Sequence, residues 1–592
     1  MHGGRIRVPV GEGSARWTTR GACHRVLLVV HNVTSATRLL DVLPLFRDDL
    51  RVQLLVTCTG SSPFQSGTAD LITSLGLPVL PWEQALETPV DLAVSASFGG
   101  QQHLLPGRLV ILPHGVGHNK RLPLPGSSQS AADAPVFGLS PEWLLSDGGP
   151  VADALVLSHP EQIERLRAAC PQAVPTAVLG GDPAFDRILA ARPFRERFRR
   201  SLDVRDGQRL ILLNSTWSPE SLFGNGGEAD TLPWLLSQLT ELPTDEYRVA
   251  AVLHPNIWHG HGTGQIKLWL DSAQRAGLTL VDPLTEWHQA LIAADTVIGD
   301  AGSVSFYAAA LGTPVLLAAA PLPLIDPLSP TAAFAGEALR LDPGRPLLGQ
   351  LETAAAQSRR PSGPAELITS APGESAALLR RLFYRLIGIP EPAEAARLEP
   401  LPLPPLRSAP RTEVFQVVTR LLGAGEVSVQ RLANPAGEPA SPGEVHTAAH
   451  EDALHPRHHN RAEVIFRSGS PDDPRFGTPE QWTAEILARH PHCELASFTS
   501  APGRCTVRTR GSDLLALHGS TTAADPAAYA SALYAWLRAG KSLDELATGG
   551  MTVWTGRTAN EVSVLPVQPL SQPLSQPLVQ GRPAPAVPTP LV

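Results

Sequence analysis

The residues best suited to chemistry in this chain lie in the run Gly299-Asp300-Ala301-Gly302-Ser303-Val304-Ser305-Phe306, which follows the apolar pair Val297-Ile298 and precedes Gly312-Thr313-Pro314. The order predicts a strand, a small-residue turn, a helix and a second strand. Such a turn can cradle an anion. Gly302 lets the backbone approach a ligand closely, and Ser303, Val304 and Ser305 open a helix whose first N–H groups and positive dipole end attract phosphate. An ordinary crossover with a serine N-cap would produce the same pattern. Three other fragments end predicted strands with polar groups: Pro113-His114-Gly115-Val116-Gly117-His118-Asn119-Lys120, Leu213-Asn214-Ser215-Thr216-Trp217 and Leu253-His254-Pro255-Asn256. A hydroxyl is a poor nucleophile, and an imidazole of near-neutral pKa within hydrogen-bond reach can remove its proton as a new bond forms.

The elements that must position these groups form two series. Arg25 to Val30, Val52 to Thr57, Val79-Leu80, Leu92 to Val94, Leu109 to Leu112, Leu155 to Leu157 and Ala177 to Gly180 read as strands, with helices predicted over Ala36 to Phe46 and Thr68 to Leu75. The pattern restarts at Arg209 to Leu213 and continues through Val249 to Leu253, Leu278 to Val281, Thr296 to Ile298 and Val315 to Leu317. Strands alternating with helices predict parallel sheets covered on both faces. The expected fold class is α/β, with two tandem doubly wound Rossmann-like domains. A smaller mixed α+β domain and a disordered proline-rich tail follow.

The expected boundaries are a flexible leader over 1–21, domains over 22–205 and 206–390, a proline-rich linker over 391–411, the accessory domain over 412–567 and the tail over 568–592. In the accessory domain Thr412 to Leu422 and Ala527 to Ala539 read as helices, and Ala462 to Phe466 and Cys505 to Val507 as strands. A cleft between the two Rossmann-like domains would place ligands beyond the carboxyl ends of strands, where His114 and His254 both occur.

At 592 residues the chain is too long for one core. A net charge of -8 provides no global basic field, so nucleic-acid binding is not expected. Five scattered cysteines without a C-x-x-C pair suggest neither a disulfide framework nor a thiolate zinc site. No run approaches the roughly 18 apolar residues of a membrane span, and the N-terminus lacks a signal-peptide core, so a cytoplasmic location is expected.

Taken together, the His-Gly, Ser-Thr-Trp, His-Pro and Asp-x-x-Ser-Val-x-Phe motifs, in that order and each at a strand end, resemble the CDP-glycerol glycerophosphotransferase-like transferases. Those enzymes share the GT-B architecture with many glycosyltransferases and the UDP-sugar 2-epimerases. The resemblance covers roughly residues 24 to 320. It implies transfer of a glycosyl or polyol-phosphate group from a nucleotide-diphosphate donor to an acceptor hydroxyl on a sugar, polyol or lipid-linked molecule. By the same resemblance His114 would be the general base and His254 would face the diphosphate. Ser215, Thr216, Gly302, Ser303, Val304 and Ser305 would contact nucleotide and phosphate. Asn32, Thr34, Arg38, His118 and Lys120 are the candidate acceptor contacts, although Thr34 also suits a helix cap.

The chain departs from the family where Leu253 replaces a basic residue, where Val116 follows His114-Gly115, and where the turn is Gly299-Asp300-Ala301-Gly302-Ser303. The Gly-Ser turn is nearer to the sugar-nucleotide enzymes, so epimerisation or hydrolysis of a UDP-sugar stays open. A GT-B-like shell that has lost catalysis also stays open, with the 412–567 domain recognising a protein partner. No metal or cofactor is expected, because the helix dipole and histidine can carry the charge. His446, His450, His455, His458 and His459 have a spacing that could suit a metal, but Pro456 interrupts the helix such a site needs. Glu286 could meet a ribose or lie on a solvated helix. Gly540-Lys541-Ser542 lacks the earlier glycine of a P-loop, since position 535 is Ala.

Overall fold

The computed structural model describes residues 4–113, 115–123, 130–227, 230–357, 363–406, 411–433, 442–521 and 525–567. The first lobe contains β1 (His24–Val30), β2 (Val52–Cys58), β3 (Val79–Leu80), β4 (Leu92–Ser95), β5 (Arg108–Ile111), a small hairpin of β6 (Leu145–Ser146) and β7 (Gly149–Pro150), then β8 (Ala154–Leu157) and β9 (Ala177–Leu179). Its seven-stranded sheet has the order β3-β2-β1-β4-β5-β8-β9, with parallel pairing throughout. Val26 to Val30, and all of β4 and β8, are buried because helices cover both faces.

The second lobe repeats the scheme with β10 (Arg209–Ser215), β11 (Tyr247–Leu253), β12 (Thr279–Leu280), β13 (Thr296–Asp300), β14 (Val315–Ala319) and β15 (Leu339–Arg340), ordered β12-β11-β10-β13-β14-β15 and parallel. In both sheets the winding direction reverses beside the first strand, between β1 and β4 and between β10 and β13. Crevices at such reversals are where open α/β sheets bind ligands.

The chain crosses between the lobes twice. Helices Pro183–Ala191 and Arg195–Ser201 bury Phe185, Ile188 and Phe198 in the core of the second lobe. Helix Ser375–Ile387 returns to the first, burying Leu379, Leu382 and Phe383 there, with Phe383 and Tyr384 stacked on Phe46 at 5.5 and 6.1 Å. Each such buried side chain contributes about 1.5–3 kcal/mol. The proline-rich segment that follows lies along both lobes, where the carbonyls of Glu399 and Pro402 accept from Arg187 and Gln289. In the leader, the Gln84 side chain makes two hydrogen bonds to the Ile6 backbone, and Val10 is buried. The tail from 568 lies outside the described residues.

The final domain, expected as a smaller mixed α+β unit, is organised around a closed barrel that the sequence did not reveal. Nine strands close into a barrel: β16 (Val414–Gly423), β17 (Glu426–Leu432), β18 (Glu444–His450), β19 (Val464–Ser468), β20 (Leu495–Ala501), β21 (Arg504–Thr509), β22 (Leu514–Gly519), β23 (Met551–Thr555) and β24 (Thr558–Pro566). Thr412 to Leu422, read as a helix, is mostly strand β16. Val414, Val417, Val418 and Thr419 are β-branched and suit a pleated strand, here buried on both faces, better than a helix. Helix Ala527–Arg538, as predicted, fills the barrel. Residues 527 to 536 are all buried, and five alanines keep the helix slim enough to fit. Arg431 fastens the barrel to the second lobe. Its buried guanidinium reaches Asp245 at 2.5 and 2.9 Å and Asp525 at 3.0 Å. Burial opposes that charge, but the two carboxylates outweigh it and raise its pKa.

Candidate functional site

The turn after β13 runs directly into a helix. Helix Ser303–Ala310 takes Gly302 as its N-cap, and no side chain caps it among the described residues, so the serine-cap alternative is not what forms. The turn is tight. A Cβ on Gly302 would lie 2.4 Å from Thr216 Cγ2 and 3.0 Å from Asp300 Oδ1. Thr216 cannot move aside cheaply, because its N–H and Oγ1 donate to Asp300 Oδ2 at 2.7 and 2.9 Å. Asp300 is 1% exposed, and its Oδ1 is buried without a hydrogen-bond partner among the described residues. Burial raises its pKa, while the Thr216 donors and Lys120 oppose the rise.

The loop after β5 crosses to this turn. Val116 N–H donates to Ser303 Oγ at 3.2 Å, and a Cβ on Gly115 would lie 2.7 Å from the same oxygen. Further along, Arg121 N–H meets the Leu324 carbonyl at 2.9 Å, and Asp326 N–H meets the Asn119 carbonyl at 2.8 Å. These bonds hold Lys120 against the second lobe, with Nζ 5.9 Å from the centre of the Trp217 ring. Lys120 is exposed to solvent, and the protein packed around its ammonium lowers its pKa. Phe64, from the first lobe, meets Trp217 edge-on at 4.9 Å. His114 itself lies outside the described residues, while its neighbours Pro113 and Gly115 line a cavity between the lobes.

The remaining candidates divide between the cleft and the interior. His254 caps helix Pro255–His261 and adjoins the turn through its backbone N–H, which donates to the Ser215 carbonyl at 3.0 Å. Its Nδ1 accepts from Asn256 N–H at 3.1 Å, which puts the proton of the neutral ring on Nε2. Ser215 Oγ is occupied by Phe223 N–H and the Thr216 carbonyl. Ser305 is fully buried and bonded to Asn214 at 3.1 Å, so its hydroxyl faces the interior, and Val304 packs against the second core.

Asn32 caps its own helix by accepting from Ser35 N–H at 2.9 Å. Thr34 and Arg38 lie on that helix, Val33–Val42, and Arg38 pairs with Asp41 at 3.1 Å. His118 is 4% exposed and packs edge-on to Phe98. Of the five clustered histidines between 446 and 459, His446 points into the barrel to bond Ser531 at 3.0 Å, while His459 bonds the His450 carbonyl. Among the described residues no group of His, Cys, Asp and Glu is arranged to hold a metal. Glu286 begins helix Trp287–Ala293, which is buried throughout and not a solvated one.

Sequence reasoning passed over a buried pair between the lobes. Tyr307, on the helix that opens at Ser303, donates to Asp182 Oδ2 at 2.7 Å across the lobes. Burial raises the pKa of both groups. With Arg38, Pro113 and Gly115 they line a cavity of about 20 Å³, room for roughly one water. The only signal in the sequence was the position of Asp182 just after a strand.

Two facing Rossmann-like lobes with a small-residue turn at the second reversal point constitute a GT-B-like architecture. Similar solved structures include the wall teichoic acid polymerase TagF, in a variant soaked with CDPG, at 13% identity over 62% of this chain and 88% of that one, with a TM-score of 0.42. An S. aureus MnaA–UDP structure is similar at 11% identity over 63% and 100%, with a TM-score of 0.40. The Methanocaldococcus jannaschii UDP-GlcNAc 2-epimerase, with UDP-GlcNAc and UDP, matches at 12% identity over 61% and 99%, also at 0.40. No protein-family model matches the chain, and no curated protein matches its sequence. Among the described residues no helix is long and apolar enough to cross a membrane.

Proposed function

We propose that this protein is a GT-B-like transferase that moves a glycosyl or polyol-phosphate group from a nucleotide-diphosphate donor to an acceptor hydroxyl. The second lobe holds the donor and the first presents the acceptor. His114 takes the hydroxyl proton as the new bond forms, and the electron pair of the broken bond leaves with the donor's phosphate. The start of helix Ser303–Ala310 and His254 stabilise that charge, so the reading requires no metal. One observation carries it: the 3.2 Å bond from Val116 to Ser303 brings the loop bearing His114 to the turn suited to phosphate.

A specific observation favours a second reading, a GT-B-like shell that binds or scaffolds without catalysis. Gly115 and Val116 lie against the Ser303 hydroxyl at the helix start, where the donor's diphosphate would have to sit. Calorimetry and thermal shift with a panel of CDP- and UDP-linked compounds separate the readings. The transferase predicts a stabilising shift from at least one donor and acceptor-dependent turnover that His114→Ala abolishes. Binding without turnover supports the shell, conversion of a UDP-sugar without acceptor supports an epimerase or hydrolase, and no binding by any donor overturns the transferase.

A further inference from the structure

We propose that Arg165 of the first lobe and Asp326 of the second form a releasable latch that gates the cleft between them. Arg165 lies on helix Pro160–Ala169, and its Nη1 donates to Asp326 Oδ2 at 3.0 Å and to the His118 carbonyl at 2.6 Å. Both side chains are 7% exposed, so this is a buried ion pair across the lobes. Backbone bonds flank it. Asp326 N–H donates to the Asn119 carbonyl at 2.8 Å and Arg121 N–H to the Leu324 carbonyl at 2.9 Å, and Lys120 and Ile325 form an antiparallel bridge. The same loop places Val116 N–H on Ser303 Oγ, where the transferase reading seats the donor. The inference rests on that reading only in what the opened cleft admits.

The partners are built to separate. A buried ion pair resists breaking when each charge is left alone in the interior. Here Arg165 also grips Glu161, one helical turn earlier, through two bonds of 2.8 and 3.2 Å, and Asp326 Oδ1 accepts from Leu328 N–H at 3.1 Å. When the lobes part, Arg165 keeps Glu161 and the His118 carbonyl, while Asp326 meets water with its local donor still in place. The flanking bonds are between backbone groups, which water replaces at small net cost. The crossing segments of chain, in contrast, are joined at Asp186, whose carboxylate accepts from Gly373 N–H at 2.6 Å and Ser375 N–H at 2.9 Å. That junction holds through the motion as a hinge, and the latch lets go.

Amide hydrogen exchange on the full chain without ligand reads the latch at Arg121 and position 326, whose N–H groups donate across the lobes, and the hinge at Gly373 and Ser375. Asp326→Asn keeps an acceptor for Leu328 but loses the charge. It is expected to speed exchange at the two latch amides about tenfold, the scale of one weakened charge-assisted bond, and to leave the hinge amides unchanged. Glu161→Gln should act the other way: it removes the carboxylate on which Arg165 falls back, so opening costs more and exchange at the latch slows. In stopped-flow fluorescence, UDP or CDP should associate faster with Asp326→Asn than with the wild type. Latch exchange that Asp326→Asn leaves unchanged, or raises no more than at the hinge, overturns the latch, as does faster exchange in Glu161→Gln. Equal association rates overturn the gating. If the wild type binds neither nucleotide, the transferase reading fails, and the exchange rates alone decide the latch.

Discussion

Gly302→Ala tests how tightly the phosphate-suited turn is built. The backbone itself accepts alanine, since φ is -103°. The obstacle is space: the new Cβ would stand 2.4 Å from Thr216 Cγ2, about 1 Å short of ordinary contact. Overpacking of this size costs about 1–3 kcal/mol. Thr216 can retreat only by loosening its bonds to Asp300, which adds about 1.5–3 kcal/mol. A total of about 2.5–6 kcal/mol should lower the melting temperature of the second lobe by at least about 5 °C. Differential scanning calorimetry gives the shift, and nucleotide calorimetry should show donor affinity falling with it. Thr216→Ser removes the methyl but keeps the hydroxyl, so the double variant should regain much of the loss. Gly264→Ala is the control: it lies in helix Thr263–Trp269 with nothing within 4 Å of its Cβ, and its stability should hold or rise slightly. A Gly302→Ala protein as stable as wild type, or one that Thr216→Ser does not rescue, refutes the steric argument.

Three more outcomes follow from buried polar groups. Arg431→Met strands Asp245 and Asp525 at the barrel junction and should cost about 3–5 kcal/mol in urea unfolding at pH 7; the penalty should shrink as acid neutralises the carboxylates, and a loss below about 1 kcal/mol contradicts the clamp. Tyr307→Phe removes the donor to Asp182 and should cost about 1–3 kcal/mol, so an unchanged denaturation midpoint would refute that interlobe bond. Burial lowers His31 and His450 to about 4 and His446 to about 3. The unfolded chain therefore takes up protons first, and the stability present above about pH 6.5 should be lost progressively as pH falls through 4; a melting temperature flat from pH 7 to 4 would contradict this.

The two parallel sheets were legible because strands covered on both faces are unbroken apolar runs, such as Val26 to Val30 and Val249 to Leu253, and the intervening helices follow turn residues. The barrel was not. Its closure depends on pairings such as β17 with β23, more than a hundred residues apart, and Val414 to Thr419 lacks the alternation that marks a half-exposed strand. At the site, the glycine and serine pattern located the turn, and Gly302 is indispensable there on steric grounds. Nothing local revealed that Ser305 turns inward to Asn214, 91 residues away, or that Tyr307 meets Asp182 across 125 residues. Those contacts exist only once the chain has folded back on itself, and the apposition of the lobes likewise brings Lys120 over the Trp217 ring.

The double exchange of helices between the lobes constrains how the cleft can open. The two crossing strands of chain run side by side, joined at Asp186, whose carboxylate accepts from the backbone of Gly373 and Ser375 and from the Ser375 hydroxyl. Gly181 and Gly373, both with positive φ, flank this junction. The lobes thus behave like two covers bound along one spine, able to swing but not to slide apart. A fragment cut at residue 205 would carry helices whose apolar faces belong to the missing half, while the rest of the chain would bring Leu379 and Phe383 without the sheet they cover. Neither half is a self-sufficient unit, and tethering the spine should be a sensitive way to hold the cleft shut.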